Sequence, residues 1–353
     1  MTRYDDCVRV QKDTASFTSV QANVLGPQRV HGDPAAGKVM NVSDPPRHTQ
    51  LRRLVSRSFT PRRINQLEPY LRAVAADAIE TALETTSCDL VKVISVLPVA
   101  AISALLDVPP DDWNRMLEMT SAACATVEAT DEVGRAAVTQ AHSALLLYCR
   151  ELMTQAPAEP GDNVISQLIQ AEEKGELTEE EVLLFFDLLM LGGNETTRHA
   201  AAGALLALIE FPDQWDRLRQ DPRLVRPAVD EILRWTTPSK HVIRRARHDL
   251  ELQGRTIRAN DDVVIWYASA NFDERAFADP DRLDLGRTPN EHLALGSGSH
   301  FCLGSALARL ELSVFLEELV ARVASAEILT PPRRMASTTI NGLRDLHVRL
   351  DPR

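Results

Sequence analysis

The chain has 353 residues, of which 44% are hydrophobic and 25% charged, and its formal net charge is −11. That mix belongs to a globular protein and excludes disordered, collagen-like and coiled-coil architectures. The acidic balance disfavours non-specific binding to nucleic acid or to an anionic membrane surface.

The five cysteines, Cys7, Cys88, Cys124, Cys149 and Cys302, are odd in number and have no close pairs. This argues against a disulfide framework and for a reducing cytoplasm. No basic-then-apolar leader follows Met1, and the most apolar stretch, Val182 to Ile209, is interrupted by Asp187, Asn194, Glu195 and Arg198. Charges at that density exclude a membrane span, so a cytoplasmic location is expected.

In chain order, Asp44-Pro45 reads as an N-cap followed by proline at the first helical position, opening a helix towards Phe59. Helical spacing then covers Leu67 to Leu83, Leu90 to Leu106, Asp111 to Val127 and Val133 to Met153, with a short helix after Gly161-Asp162 reaching Glu173. Thr178 with Glu181 forms a capping box that opens a long apolar helix to about Glu210. Pro212 and Pro222 start two more helices, the second ending near Trp235. The runs His241–Ala246, Leu250–Leu252, Thr256–Ile257 and Val263–Trp266 alternate as a small antiparallel sheet. Asn271 to Leu295 has no period, and a loop of that length is usually functional. Leu303 to Val323 returns to helix, and strand-like pieces occupy Thr338 to Leu350. No linker or repeat divides the chain, which predicts one mainly helical domain over 1–353 with minor sheets.

The run Leu295-Gly296-Ser297-Gly298-Ser299-His300-Phe301-Cys302-Leu303-Gly304 closes the irregular segment just before a helix. Glycines there permit a tight turn, and a cysteine at a helix N-terminus has its thiolate favoured by free N–H groups and the helix dipole. Such a thiolate suits a soft metal or haem iron, although a lone cysteine beside a glycine turn is most often simply buried. Zinc lacks a second ligand pair, and Phe301 occupies the third glycine position of a dinucleotide loop.

This run resembles the cysteine-ligand loop of the cytochrome P-450 family, F-G-x-G-x-H-x-C-x-G, with Leu295 replacing the phenylalanine. The resemblance implies the mainly α cytochrome P-450 fold, with a long central helix over haem b and Cys302 as the axial ligand of its iron. Gly192-Gly193-Asn194-Glu195-Thr196 is similar to the family's A/G-G-x-D/E-T motif. By that likeness Thr196 is the alcohol and Glu195 the acid that relay protons to dioxygen, with the glycines opening the helix. Glu231 and Arg234 match the family's E-x-x-R, and Asp279-Pro280-Asp281-Arg282 nominates Arg282 as the third member of a buried cluster that holds the cysteine loop.

The resemblance further assigns His48, Arg52, Arg244 and His300 to the haem carboxylates, and Gly193, Leu295, Gly296 and Gly304 to its surroundings. It places the substrate pocket within Phe17–Met40 and the Trp113–Ala137 helices, and at Leu189, Gly192, Lys240, His241, Val242, Thr339 and Ile340. Lys240 and His241 are more polar than a lipid pocket needs, which favours a bacterial secondary metabolite. The expected activity is hydroxylation of a small organic substrate, with oxidative coupling, desaturation or N-oxidation as variants of the same chemistry and a haem-binding sensor or carrier as a non-enzymatic alternative. No nucleotide or flavin fingerprint is present, so electrons are expected from a ferredoxin and its ferredoxin reductase, docking on Arg47, Arg52, Arg53, Arg57, Arg62 and Arg63. The protein is expected to act as a monomer. Against the family's usual length, the first helix and strand are expected to be missing.

Overall fold

A computed structural model describes residues 1–21, 23–25, 33–124, 132–155, 161 and 163–353. The elements that build the site are helices α1 (Tyr4–Lys12), α2 (Arg47–Val55), α3 (Val96–Leu106), α4 (Trp113–Cys124), α5 (Glu132–Gln155), α6 (Glu179–Glu210), α7 (Val225–Thr236) and α8 (Ser305–Arg322). Strands β1 (Phe17–Thr18), β2 (His241–Ala246) and β3 (Asp262–Trp266) form one antiparallel sheet in that order. A second sheet joins Cys88–Asp89, His347–Pro352 and Val323–Ile328, and Leu250–Leu252 pairs with Arg255–Ile257 in a separate hairpin. No described helix is long and apolar enough to cross a membrane, and all five cysteines are free.

Helix α6 is the axis of the molecule. Its N-terminus is closed by the expected capping box: the Glu181 N–H donates to Thr178 Oγ1 at 3.2 Å and the Thr178 N–H to Glu181 Oε2 at 2.8 Å. Buried side chains run along it from Val182 to Leu208 on more than one face, because α3, α4, α5, α7 and α8 all pack against it. A helix apolar nearly all round is stable only in such surroundings. One large apolar cluster extends from Val39 to Leu350, and a smaller one joins α1 to the β1–β2–β3 sheet through Cys7, Val10, Phe17 and Ile265.

Three predicted elements differ. Asp44 does not cap a helix: its carboxylate accepts from the Thr18 hydroxyl, the Ser19 N–H at 2.9 Å and Arg247, and α2 begins at Arg47. The stretch Leu90 to Leu106 is two helices, Leu90–Ile94 and α3, broken at Ser95, whose hydroxyl donates back to the Val91 carbonyl at 2.6 Å. The helix predicted over Asp111 to Val127 starts as a 3-10 turn, becomes α4, and its end lies outside the described residues.

Candidate active site

The irregular stretch after α7 carries no helix or strand between Asn271 and Ser297, yet it is firmly held. Glu231 and Arg234, on one face of α7, form a doubly hydrogen-bonded pair at 2.8 Å, and both side chains are 0% exposed. Glu231 also accepts from the Asp284 N–H at 3.0 Å, from Arg287 Nε at 3.0 Å and from Asn290 Nδ2 at 3.1 Å. Arg234 donates its three remaining hydrogens to the carbonyls of Asn271, Pro280 and Arg282 at 2.8, 2.9 and 3.4 Å. Every lone pair and proton of the pair is therefore used, which is the condition for a buried ion pair to be tolerated.

The third charged member is Arg287, not Arg282. The Arg282 side chain is exposed, and only its carbonyl oxygen takes part, accepting from Arg287 at 3.0 Å. The loop turns back after Arg282, so a residue five positions later reaches Glu231.

The cysteine loop leaves this brace at Leu293, whose N–H donates to Asn271 Oδ1 at 2.7 Å. Gly296 and Gly298 have φ of +70° and +69°, a region that side-chain-bearing residues rarely adopt. Their turns bring the Cys302 N–H to the Leu295 carbonyl at 2.8 Å. Gln11 of α1 reaches into the loop: its Oε1 accepts from the Ser297 N–H at 2.7 Å and from the Tyr267 hydroxyl at 3.2 Å. Sequence reasoning missed Gln11, although a polar residue adjoining the buried stripe of Cys7 and Val10 was the available signal.

Gly304 caps α8, and Cys302 precedes it. Burial pushes the Cys302 thiol up, outweighing the Gly304 N–H and the charges of Arg52 and Arg309. The helix terminus does favour the thiolate, as the Gly304 N–H shows, but burial opposes it. Desolvation wins, and a bound metal cation is what would hold the sulfur deprotonated.

Cys302 lies at the wall of a cavity of about 330 Å³, shared with Leu295, Gly296, Gly304, His48, Arg52, Arg244 and His300. Four basic side chains from three segments of the chain converge there, and none of them pairs with a carboxylate among the described residues. Both ring nitrogens of His48 are buried without a hydrogen-bond partner. Its ring centroid is 4.3 Å from that of His300, whose Nε2 is 3.2 Å from Ser19 Oγ. Burial, then Arg244, His48 and Arg52, push the His300 imidazole down to about 3. Arg244 is buried and donates only to the neighbouring Ile243 carbonyl. Two arginines without a carboxylate partner and two imidazoles held below their ordinary range, beside a cysteine and an apolar slot, fit a planar, metal-bearing group with carboxylate substituents.

The opposite wall is α6. Leu189, Gly192, Gly193 and Thr196 line the cavity, with Val242 at the strand side. The helix is not opened at the glycines, contrary to expectation. A Cβ on Gly193 would lie 2.9 Å from Ile102, so this glycine lets α3 approach, whereas a Cβ on Gly192 would meet nothing. Thr196 Oγ1 donates to the Gly192 carbonyl at 3.1 Å. Glu195 is 1% exposed and is bonded by Arg198 and by Ser121 Oγ at 3.3 Å. Burial draws its carboxyl up, but His199, Arg198 and Ser121 together hold it below the ordinary carboxylate range.

A second cavity carboxyl, Glu311 of α8, was not anticipated. Desolvation raises its carboxyl well above the usual value. A glutamate nine residues after Cys302 on the buried stripe of α8 was its only trace in the sequence.

Four pocket residues are placed elsewhere. Lys240 turns away to donate to the Ser337 carbonyl at 2.5 Å. His241 accepts from the Leu25 N–H at 3.1 Å and packs on Trp266, with ring centroids 4.8 Å apart. Thr339 and Ile340 do not line the cavity; Ile340 makes an isolated bridge to Ser239, which does. Alternation explains this: in an extended segment neighbours face opposite ways, so Val242 points in while His241 cannot. Helix α4 contributes no lining residue and instead braces α6, with Asn194 Nδ2 donating to Thr120 at 2.6 Å. Residues 22, 26–32 and 125–131 of the expected pocket segments lie outside the described residues. The arginine run also divides. Arg47 pairs with Glu181 and Arg52 faces the cavity, while Arg53, Arg57 and Arg63 line a surface hollow with Lys174 and Glu176, and Arg62 is exposed.

The cytochrome P450 family model matches residues 99–324. Cytochrome P450 126 of Mycobacterium tuberculosis is 38% identical over 98% of this chain and 86% of its own length. Linalool 8-monooxygenase of Pseudomonas putida is 34% identical over 99% of this chain and 89% of its own. The crystal structure of P450 OxyD, involved in the biosynthesis of vancomycin-type antibiotics, superposes with a TM-score of 0.90 at 35% identity, covering 100% of this chain and 89% of that one. The chain therefore belongs to the cytochrome P450 family and is one of its monooxygenases, working with a haem iron, dioxygen, an organic substrate and electrons from a redox partner.

Proposed function

We propose that this chain, acting as a single domain, hydroxylates a small, largely apolar secondary metabolite over haem b held by Cys302. The observation that carries the reading is the cavity with Cys302, two arginines without a carboxylate partner and the unpartnered His48 ring on one side and Thr196 on the other. Haem iron ligated by a thiolate supplies the activation of dioxygen when bound. His48, Arg52, Arg244 and His300 would hold the haem carboxylates, and Gly296 and Gly298 keep the backbone clear of the ring. Leu295 takes the place of a flat aromatic ring beside the sulfur.

Thr196 presents a hydroxyl at the cavity wall. Its bond to the Gly192 carbonyl leaves the oxygen free to accept a proton donor. Glu195 stands behind it as the acid that resupplies protons, and Leu189 and Val242 exclude water from the substrate face. Because Lys240 and His241 turn away, the polar argument for the substrate shifts to Asn41, whose Oδ1 lines the cavity buried and unpartnered. A substrate carrying one hydroxyl or N–H donor on an apolar frame satisfies it. Coupling, desaturation and N-oxidation begin from the same site and differ only in what the substrate offers.

Electrons are proposed to come from an acidic ferredoxin, itself reduced by a ferredoxin reductase, docking at the hollow of Arg53, Arg57, Arg63 and Lys174, with the P450 working as a cytoplasmic monomer. The test is the reduced, carbon-monoxide-bound spectrum. A far-red Soret band that disappears in Cys302→Ser, together with lost turnover, is expected. A Cys302→Ser protein with the band and activity of the parent would overturn the assignment. Spectral titration with apolar metabolites carrying or lacking one donor group then tests the substrate class.

A further inference from the structure

Glu195 has a supply problem. Arg198 and Ser121 bind it, and its carboxyl is held below the ordinary range, so it rests as a carboxylate. A carboxylate accepts protons; it can pass one to Thr196 only after receiving one from elsewhere. Glu195 is 1% exposed, so that source must reach it through the protein.

The next residue along its stripe of α6 is His199, one turn on. The ring is 2% exposed, and its Nε2 lies 3.5 Å from Glu195 Oε2. Neither ring nitrogen has a hydrogen-bond partner. A buried imidazole with both nitrogens unmatched is costly unless water or a transient partner serves it. His199 is among the residues that line a separate cleft of about 70 Å³, room enough for a small water cluster. The cleft follows the same stripe outward through Gly203, Leu206 and Ala207 to Glu210 and meets Trp235, Thr236, Arg334, Asn341 and Gly342 from the other side. Glu210 and Arg334, at the outer end, are exposed.

Two glycines keep this space. A Cβ on Gly342 would sit 2.6–2.8 Å from the His199 ring, and one on Gly203 would sit 2.7 Å from the Thr236 methyl. The charged groups around the ring and its cleft are Glu195, Arg198 and Glu210 on its own helix, and Arg334 across the cleft.

We propose that His199 is the positioning residue through which solvent protons enter, carrying them from the cleft to Glu195. A proton delivered from bulk solvent as hydronium in the cleft water adds to Nδ1, the resulting imidazolium releases its Nε2 proton to the Glu195 carboxylate, and proton exchange of the neutral ring with the same water restores the Nε2–H tautomer; the net change is one proton carried from solvent to Glu195, with the water left neutral. The ring closes from 3.5 Å to hydrogen-bond distance by a small torsional shift. The inference rests on the reading of Glu195 as the acid behind Thr196.

The test compares His199→Gln, which keeps a polar contact to Glu195 but cannot hop a proton, with His199→Phe and Glu195→Gln in the haem-loaded enzyme. Both His199 variants are expected to keep the carbon-monoxide spectrum and the melting temperature, to lower product formed per electron pair by roughly tenfold, and to enlarge the solvent deuterium isotope effect. Independently of turnover, the His199 ring N–H of the diamagnetic carbon-monoxide form is expected to exchange with water within milliseconds by NMR. A ring N–H that persists for minutes, or full coupling in His199→Gln, overturns the proposal. If Glu195→Gln uncouples while both His199 variants do not, only the His199 entry fails. If Glu195→Gln itself stays coupled, the acid assignment falls and takes the entry with it.

Discussion

Two clusters of buried charge flank the cysteine loop, and they are built on opposite principles. Around Glu231 and Arg234 every charge has its counter-charge and every hydrogen its acceptor within the chain. Around His48, Arg52, Arg244 and His300 four basic groups face one cavity with no carboxylate bonded to any of them among the described residues. Burying a charge is expensive in either case. The first cluster offsets that cost internally and so serves to fix the loop; in the second, Arg52 and Arg244 carry charge without a counter-charge beside two imidazoles held below their ordinary range, an arrangement that an anionic ligand would relieve.

The contrast is broken most severely at Glu231. Glu231→Gln removes the shared acceptor of two arginines, and breaking one partner of a buried pair costs about 3–5 kcal/mol. Thermal unfolding should show that loss, with poor haem retention. Within the same cluster, Arg287→Ala should destabilise clearly, whereas Arg282→Ala should stay within about 0.5 kcal/mol, as surface changes do. Equal effects at the two positions would contradict the placement of Arg287 in the brace.

The second cluster should respond in the opposite sense. Arg244→Ala removes an uncompensated buried cation, so the haem-free protein should unfold no earlier than the parent. Haem affinity should nevertheless fall about ten- to a hundredfold, the worth of a charge-assisted hydrogen bond of about 1.5–3 kcal/mol. A melting temperature that drops in the haem-free protein would erase the distinction between the clusters.

The smallest effect belongs to a third pair, where α5 meets α6. His142 Nδ1 lies 3.0 Å from both oxygens of Asp187, and that hydrogen bond raises the imidazole above its ordinary value of 6.5. A raised histidine contributes stability that is fully present below pH 6.5 and is lost as pH rises through the raised value. The protection factors of α5 amides, corrected for the intrinsic rise of exchange with pH, should therefore fall modestly on going from acidic to alkaline pH, and His142→Ala should remove that fall.

Much of the site was legible because its motifs are backbone devices. Two glycines at positive φ, a cysteine before a helix and an E-x-x-R on one helical face specify geometry from neighbours close in sequence. The long helix from Glu179 to Glu210 was legible for the same reason, since its capping box and apolar run act locally. Arg287 and Gln11 were not, because each is chosen by where a distant segment happens to pass. Lys240 and His241 failed differently: their segment was correctly located, but their facing depended on strand pairing with Trp266 and on Ser337 across the fold. Glu311 and His199 read as ordinary helical polar residues until packing buried them.

By itself, the order of residues determined the helical class, the cysteine loop, the acid–alcohol pair and the family likeness, because those depend on spacing within a turn or two. Tertiary structure alone decided which arginine completes the brace, which polar side chains reach the cavity and which buried charges lack a partner. Electrostatics and desolvation depend on distances between segments far apart in the chain, and those distances exist only once the chain has packed.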